Sequence, residues 1–193
     1  MAQHPTAARH PTAQHPTALI AYATAAGSTA GIAERIAATL AEDGAEVTCR
    51  AVTDDLDPAG FDVVVVGSAV HSMAWLPPAL AFLPKAAASG APVWCFSVGG
   101  LASPDSGRVS RYLAAGELRR IETGFPHGFT PREHRLFTGV VDVTRSPLWG
   151  RVFYRLTGGS SGDHRDWAAV AAWARRIATA MHGKASAAGS ATA

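Results

Sequence analysis

Short apolar runs alternate with amphipathic stretches along most of this chain, and the alternation predicts strands and helices in turn. Leu19 to Ala23 is an apolar run that predicts a first strand, and the helix after it carries Ile32, Ile36 and Leu40 on one face. A second strand is expected near Ala45 to Val52. Phe61 to Gly67 (FDVVVVG) is a continuous β-branched run, the pattern of a central parallel strand buried on both sides. A helix is predicted over Leu76 to Ala88, with Pro77 and Pro78 in its first turn, where proline costs no hydrogen bond. Pro92 to Val98 (PVWCFSV) predicts another buried strand, Gly107 to Arg120 a helix, and Arg135 to Val143 a further strand. Pro147 to Leu156 reads as a short helical segment. The last helix is expected over Arg165 to Met181, with Asp163 as its N-cap and Trp167, Val170, Ala171, Ala174, Ile177, Ala178 and Met181 on its buried face. Strands that alternate with helices imply an α/β protein with a parallel sheet and right-handed crossovers.

The junction of the first strand and first helix carries candidate chemistry. Thr24, Ala25, Ala26, Gly27, Ser28 and Thr29 form a short loop of small and hydroxyl residues between them. The opening N–H groups of a helix have no partner within it, and its dipole places partial positive charge there, so such a loop suits an anion. With no Lys or Arg in the loop, one small phosphate held by neutral donors fits better than a triphosphate. Neither GxxxxGK[ST] nor GxGxxG is present. An ordinary βα turn with a Ser or Thr cap is the competing reading. The loop resembles the phosphate loop of flavodoxin-like proteins, which holds the phosphate of FMN: Thr24, Gly27 and Thr29 match, Ser28 adds a hydroxyl, and Ala26 departs from the pattern. Five strands behind such a loop point to a three-layer flavodoxin-like fold with a five-stranded parallel sheet in the order 2-1-3-4-5.

In that order, ligands lie beyond the carboxyl ends of the first, third and fourth strands. Ser68, Ala69, Val70, His71 and Ser72 follow the third strand, and Ser97, Val98, Gly99, Gly100 and Leu101 end the fourth. These two segments, expected as loops, are the candidates for flanking a flavin ring, with the N–H groups of Gly99 and Gly100 turned to its carbonyls. His71 either bonds a flavin or substrate or stands in solvent. Trp75 either stacks on a flavin or covers the start of the next helix, the second being preferred.

Composition narrows the class. The chain of 193 residues is expected to hold one domain, 18–182, between a low-complexity tail, 1–17, with the unit HPTA at His4, His10 and His15, and a flexible tail, 183–193. The formal net charge of +2 is too small and scattered for a nucleic-acid binder. Cys49 and Cys95 fall in strands three spacings apart, roughly 14 Å, beyond disulfide reach. Reduced core thiols and the lack of a secretory leader lead to the expectation of a cytoplasmic protein. No run approaches the ~20 apolar residues of a membrane span.

Read together, YATAAGSTAGIAERIA, VVVVGSAVHSMAWLPPALAFL, WCFSVGG and TGGSSGDHRDWAAVAAWARRIA resemble the flavodoxin-domain family that includes the menaquinone-dependent protoporphyrinogen IX dehydrogenase. The resemblance implies FMN as cofactor, two-electron chemistry on a small-molecule reductant, and a quinone-type acceptor or redox protein as the other partner. The alternative is a flavodoxin-type electron carrier without a small-molecule substrate of its own; small flavodoxins that act as shuttles are typically acidic, and the near-neutral charge of this chain argues mildly against it. Thr144 to Asp163, an insert before the last helix, alternates Arg145, Arg151 and Arg155 with aromatic and aliphatic residues. Such a segment can cover the flavin, grip an acidic apolar substrate or rest peripherally on the inner face of a membrane. Alternatively, Phe153 and Leu156 pack on the sheet while the arginines are solvated. His71, Arg145 and Tyr154 are the candidate catalytic residues.

Overall fold

The computed structural model describes residues 15–99, 108–141, 162–163 and 165–190. Within them the chain forms β1 (Thr17–Ala23), α1 (Ser28–Glu42), β2 (Glu46–Ala51), β3 (Val63–His71), β4 (Ala74–Trp75), α2 (Pro77–Ala88), β5 (Val93–Val98), α3 (Arg108–Glu122), β6 (Glu133–Phe137), β7 (Val140–Val141), β8 (Gly162–Asp163) and α4 (Trp167–Ser190). The parallel strands lie in the order β2-β1-β3-β5-β6, which is 2-1-3-4-5 once the two-residue β4 is set aside. The expected flavodoxin-like three-layer α/β fold is the fold observed.

The strand alternation splits the core into two layers. Ala18, Ile20, Val63, Val65, Trp94 and Phe96 face α1 and α4, while Leu19, Ala21, Val64, Val66, Val93 and Cys95 face the side of α2 and α3. On the first side Ile32, Ile36 and Leu40 of α1 are fully buried. Each contributes about 1.5–3 kcal/mol, which outweighs the roughly 1 kcal/mol cost of Gly31 inside the helix. Gly67 of β3 is dictated by packing, since a Cβ there would stand 2.0 Å from the Phe96 ring.

Three features of the last helix differ from expectation. Its cap is Asp166 rather than Asp163: Asp166 Oδ1 accepts the Ala169 N–H at 2.9 Å, and Asp163 lies in β8 instead. Trp167 is 38 % exposed, and Trp173 fills the core in its place, edge-on to Trp94, Phe96 and Phe137. Val170, Trp173, Ala174, Ile177 and Met181 follow the helical period; Trp167 shares that face, three and seven positions before Val170 and Ala174, but stands at the first helical position, at the open end of the packed stripe. The helix also runs to Ser190, past the Met181 expected from its apolar face.

The strand expected over Arg135 to Val143 divides into β6 and β7. β7 pairs antiparallel with β8, Val140 opposite Asp163 and Val141 opposite Gly162. Residues 1–14 and 142–161, including Arg145, Tyr154 and the stretch Pro147 to Leu156, lie outside the described residues, as do Gly100 and Leu101.

Candidate functional site

The turn between β1 and α1 begins from Thr24, whose Oγ1 accepts the Gly27 N–H at 2.9 Å. Gly27 is the N-cap of α1 and has φ +89°, a left-handed conformation open to glycine at no steric cost. No side chain caps the helix, so the turn is not the ordinary Ser/Thr-capped one. The helical ladder starts with Gly31 N–H donating to the Gly27 carbonyl at 3.1 Å. The N–H groups of Ser28, Thr29 and Ala30 therefore stand ahead of the ladder, at the positive end of the helix dipole.

Thr29 is the most telling residue of the turn. It is fully buried, yet its Oγ1 has no hydrogen-bond partner. A buried hydroxyl left unmatched costs about 1–3 kcal/mol, which an acceptor at the helix mouth would recover. Ala25 and Gly27 are exposed around it and Ser28 is half-buried. No acidic residue occupies the first turn to repel an anion. Free donors, a neutral hydroxyl and an unobstructed glycine cap fit a phosphate monoester such as that of FMN.

The neighbouring strand ends differ from the two loops expected there. Ser68 to His71 continue β3, and Ser72 and Met73 make a two-residue turn back into β4, with Val70 opposite Trp75 and His71 opposite Ala74. Both turn residues have positive φ, 51° and 62°, the backbone of a type I′ hairpin. Ser97 and Val98 likewise remain strand, in β5. Side-chain alternation turns Ser68 and Ser97 to the α2/α3 side of the sheet, where both are fully buried. Ser68 Oγ accepts the Leu76 N–H at 2.9 Å and donates to the Ala69 carbonyl, also at 2.9 Å. Ser97 Oγ accepts from Trp75 Nε1 at 2.7 Å and is 2.9 Å from His134 Nε2. The two serines expected beside a flavin ring thus fasten the hairpin to the sheet.

The second serine belongs to a longer chain of bonds. His134 Nδ1 lies 2.9 Å from Glu122 Oε1, and the His134 side chain is 2 % exposed. The tautomer that satisfies every partner carries its proton on Nδ1, so Ser97 O–H donates to Nε2. Trp75, Ser97, His134 and Glu122 then form one directional relay from the hairpin to the end of α3. Trp75 also packs edge-on to Phe125, with ring centroids 4.8 Å apart, and is 3 % exposed. Its indole therefore covers the helix side rather than offering a face for stacking.

Gly99 departs from its expected role too. Its N–H donates to the Phe137 carbonyl at 3.1 Å, and its φ of +140° brings it against Val70. Val98 is buried, while His71 and Ser72 are exposed on the hairpin. Sequence reading missed Gly139. A Cβ there would stand 3.1 Å from Val98, 3.6 Å from Ser28 Oγ and 3.9 Å from the Gly99 nitrogen. The β6–β7 connection thus closes on both the β1–α1 turn and the end of β5, and a glycine just past a strand was the available signal.

Burial raises the thiol pKa of both cysteines, with carboxylates adding to it. Cys49 is pushed to about 11 by burial and Glu34, and Cys95 well above its ordinary value by burial and Glu122. Both are free, and they sit within the sheet as inert side chains. Among the described residues no helix is long and apolar enough to cross a membrane.

A family model described as flavodoxin domain matches residues 19–166. No curated protein matches the chain. Similar solved structures include rubredoxin oxygen:oxidoreductase from the anaerobe Desulfovibrio gigas, at 17% identity and TM-score 0.49, over 89% of this chain and 38% of that one. A flavodoxin from the domain Archaea is 16% identical, with TM-score 0.48, over 88% and 99% of the two chains. The flavodoxin of Streptococcus pneumonia TIGR4 is 15% identical, with TM-score 0.49, over 84% and 98%. The present chain spans little more than a third of the Desulfovibrio protein, 38% of its length.

Proposed function

Because the chain belongs to the flavodoxin-domain family, we propose that it is an FMN-binding oxidoreductase that takes electrons from a small-molecule reductant and passes them to a quinone-type acceptor or a redox protein. Membership of the family implies FMN as the cofactor, and bound FMN supplies one- and two-electron redox chemistry. The observation that carries the reading is the buried, unpartnered Thr29 hydroxyl at the mouth of α1.

The chain's own residues divide the work. Ser28, Thr29 and Ala30 would hold the phosphate through backbone N–H groups and the Thr29 hydroxyl. Gly27 keeps the mouth clear of side chains. The hairpin of β3 and β4, tied down through Ser68 and Ser97, supplies a fixed wall beside the carboxyl ends of the strands. His71, exposed beside Ser72 on that wall, is the candidate to touch a substrate. The sequence likeness to the menaquinone-dependent protoporphyrinogen dehydrogenase family supports a finer reading, in which the reductant is a porphyrinogen-like acid and the acceptor a quinone. The weakly positive net charge, unlike the acidic surface of shuttle flavodoxins, favours an enzyme over a carrier. The same reading places the protein in the cytoplasm, with peripheral contact at the inner membrane face where quinones reside.

Titration of the cofactor-free protein with FMN tests the cofactor, and Thr29→Val tests the carrying observation. Loss of the hydroxyl at nearly constant volume is expected to weaken FMN about tenfold or more, with the unfolding midpoint little changed or raised. FMN binding by Thr29→Val equal to that of the parent chain would refute the phosphate assignment. Anaerobic mixing of the flavin-loaded protein with protoporphyrinogen, followed by a menaquinone analogue, tests the finer reading. Bleaching by the first and recovery with the second support an enzyme, whereas exchange of electrons with redox proteins alone identifies a carrier.

A further inference from the structure

The bonds that fasten the hairpin run through a group able to change its charge. His134 stands between Ser97 Oγ, 2.9 Å from its Nε2, and Glu122 Oε1, 2.9 Å from its Nδ1. Its side chain is 2 % exposed and that of Glu122 40 %, so the carboxylate joins a buried ring to solvent. Among the described residues, the titratable groups facing the ring are Glu122 from α3 and Cys95, its register partner in β5. Burial and then Glu122 keep the Cys95 thiol protonated. Glu117, the other carboxylate of α3, lies on that helix's buried stripe with Ala114 and Ile121. Trp75 and Phe125 pack their rings against the imidazole, with centroids 5.7 and 5.4 Å away. Within β6, Glu133 and Arg135 alternate to the opposite side of the sheet, where Glu133 bonds Trp173 Nε1 at 3.1 Å.

Hydrogen-bond counting defines two states. With one proton on the ring, at Nδ1, Nε2 accepts from the Ser97 hydroxyl while the Ser97 oxygen accepts the Trp75 N–H at 2.7 Å. A second proton, taken from solvent and placed on Nε2, makes both ring nitrogens donors. The Ser97 oxygen then accepts from Nε2 and from Trp75 through its two lone pairs, and its own hydrogen turns elsewhere. Ser68, opposite Ser97 across the β3–β5 ladder, shows an available direction: its Oγ donates to the carbonyl of the next residue, Ala69, at 2.9 Å. The two states differ at Trp75. An oxygen that donates onward to the ring is polarised into a stronger acceptor, whereas one shared with an imidazolium is a weaker one.

We infer that His134 makes the hairpin clamp sensitive to pH: protonation of its ring reverses the Ser97 hydroxyl and loosens the bond that anchors the Trp75 indole of β4. The inference goes beyond the FMN reading and does not depend on it. The element that responds is the β3–β4 hairpin, whose exposed end carries His71, Ser72 and Met73.

The test follows the indole N–H and imidazole C–H resonances of the full chain by NMR from about pH 8 to about pH 5, the range in which imidazoles change charge. Trp75→Phe identifies the Trp75 signal. That signal is expected to move upfield as the pH falls, along a one-proton curve that shares its midpoint with the His134 ring. His134→Gln is expected to leave it flat. Glu122→Gln, a change at an exposed position that keeps an acceptor for Nδ1, is expected to displace both curves along the pH axis by the same amount. Ser97→Ala is expected to abolish the response of Trp75 while His134 still titrates. A Trp75 signal that stays still while His134 titrates, or a His134 ring that keeps one charge throughout, overturns the inference. So does a Trp75 response that survives in His134→Gln, or one of undiminished size in Ser97→Ala, which would be the field of the imidazolium acting through space. Should the two buried-site variants fail to fold, Glu122→Gln decides: a Trp75 curve that does not move with that of His134 overturns the inference.

Discussion

Replacing Ser97 with alanine removes one hydroxyl and strands two buried nitrogens. Trp75 Nε1 loses the acceptor it meets at 2.7 Å, and His134 Nε2 loses its donor at 2.9 Å. Water cannot take over cheaply, because Trp75 is 3 % exposed and the His134 side chain 2 %. Each unmatched buried group costs about 1–3 kcal/mol, so the substitution should cost about 2–6 kcal/mol in all. For a domain of this size that is a fall in Tm of roughly 5–15 °C. Urea unfolding followed by far-UV circular dichroism would measure it, with Trp75→Phe and the Ser97→Ala/Trp75→Phe pair completing a double-mutant cycle. The pair no longer strands an indole N–H, so the cycle should return a coupling of about 1–2 kcal/mol. A Ser97→Ala protein within about 0.5 kcal/mol of the parent, the usual range for surface substitutions, would show that the relay is not holding the hairpin.

Three further outcomes follow from the geometry. Gly67→Ala forces a methyl to within 2.0 Å of the Phe96 ring, so the urea midpoint should drop by the equivalent of about 3 kcal/mol with an unchanged slope; a neutral result would mean the ring can swing aside. The turn residues Ser72 and Met73 hold positive φ without being Asn or Gly, so Ser72→Asn/Met73→Gly should stabilise the protein by about 1 kcal/mol in thermal unfolding. A loss of stability there would mean that the half-exposed Met73 packs on something. Cys49, raised from 9.0 to about 11, should carry about a hundredfold less thiolate at pH 8 than an ordinary thiol and react correspondingly slowly with iodoacetamide. Because the folded state holds this proton more tightly than the unfolded chain, the same shift should lower stability as pH rises from about 9 to about 11, which a pH series of unfolding midpoints would detect.

The sheet and its order were legible because burial on both faces leaves a run such as Val63 to Val66 no other role. The turn between β1 and α1 was legible for a related reason: a strand, a glycine and a helix within a few residues leave few backbone paths. The strand ends were less legible. Whether Ser68 and Ser97 belong to strand or loop depends on their pairing with Ala23 of β1, with each other and with Leu136 of β6, and a one-residue change of register reverses the face. Their alternation with Val66 and Cys95 did carry the information that they face the α2/α3 side. Trp167 and Trp173 are both apolar and six positions apart, the helical period leaves both near the buried face, and only packing against the sheet decides that Trp173 meets Phe137. The partners His134 and Glu122 come from other elements, twelve residues apart, and no local pattern joins them to Trp75.

The hairpin fastened by two hydroxyls has a consequence for the speed of electron exchange. An electron hop slows when surrounding dipoles must swing to meet the new charge, and it is quick where they are locked beforehand. Each serine spends its hydroxyl on the wall itself, through a backbone amide in one case and an indole in the other. Among the described residues, what the two serines border at the strand ends on that side is consequently a stiff, pre-set dielectric.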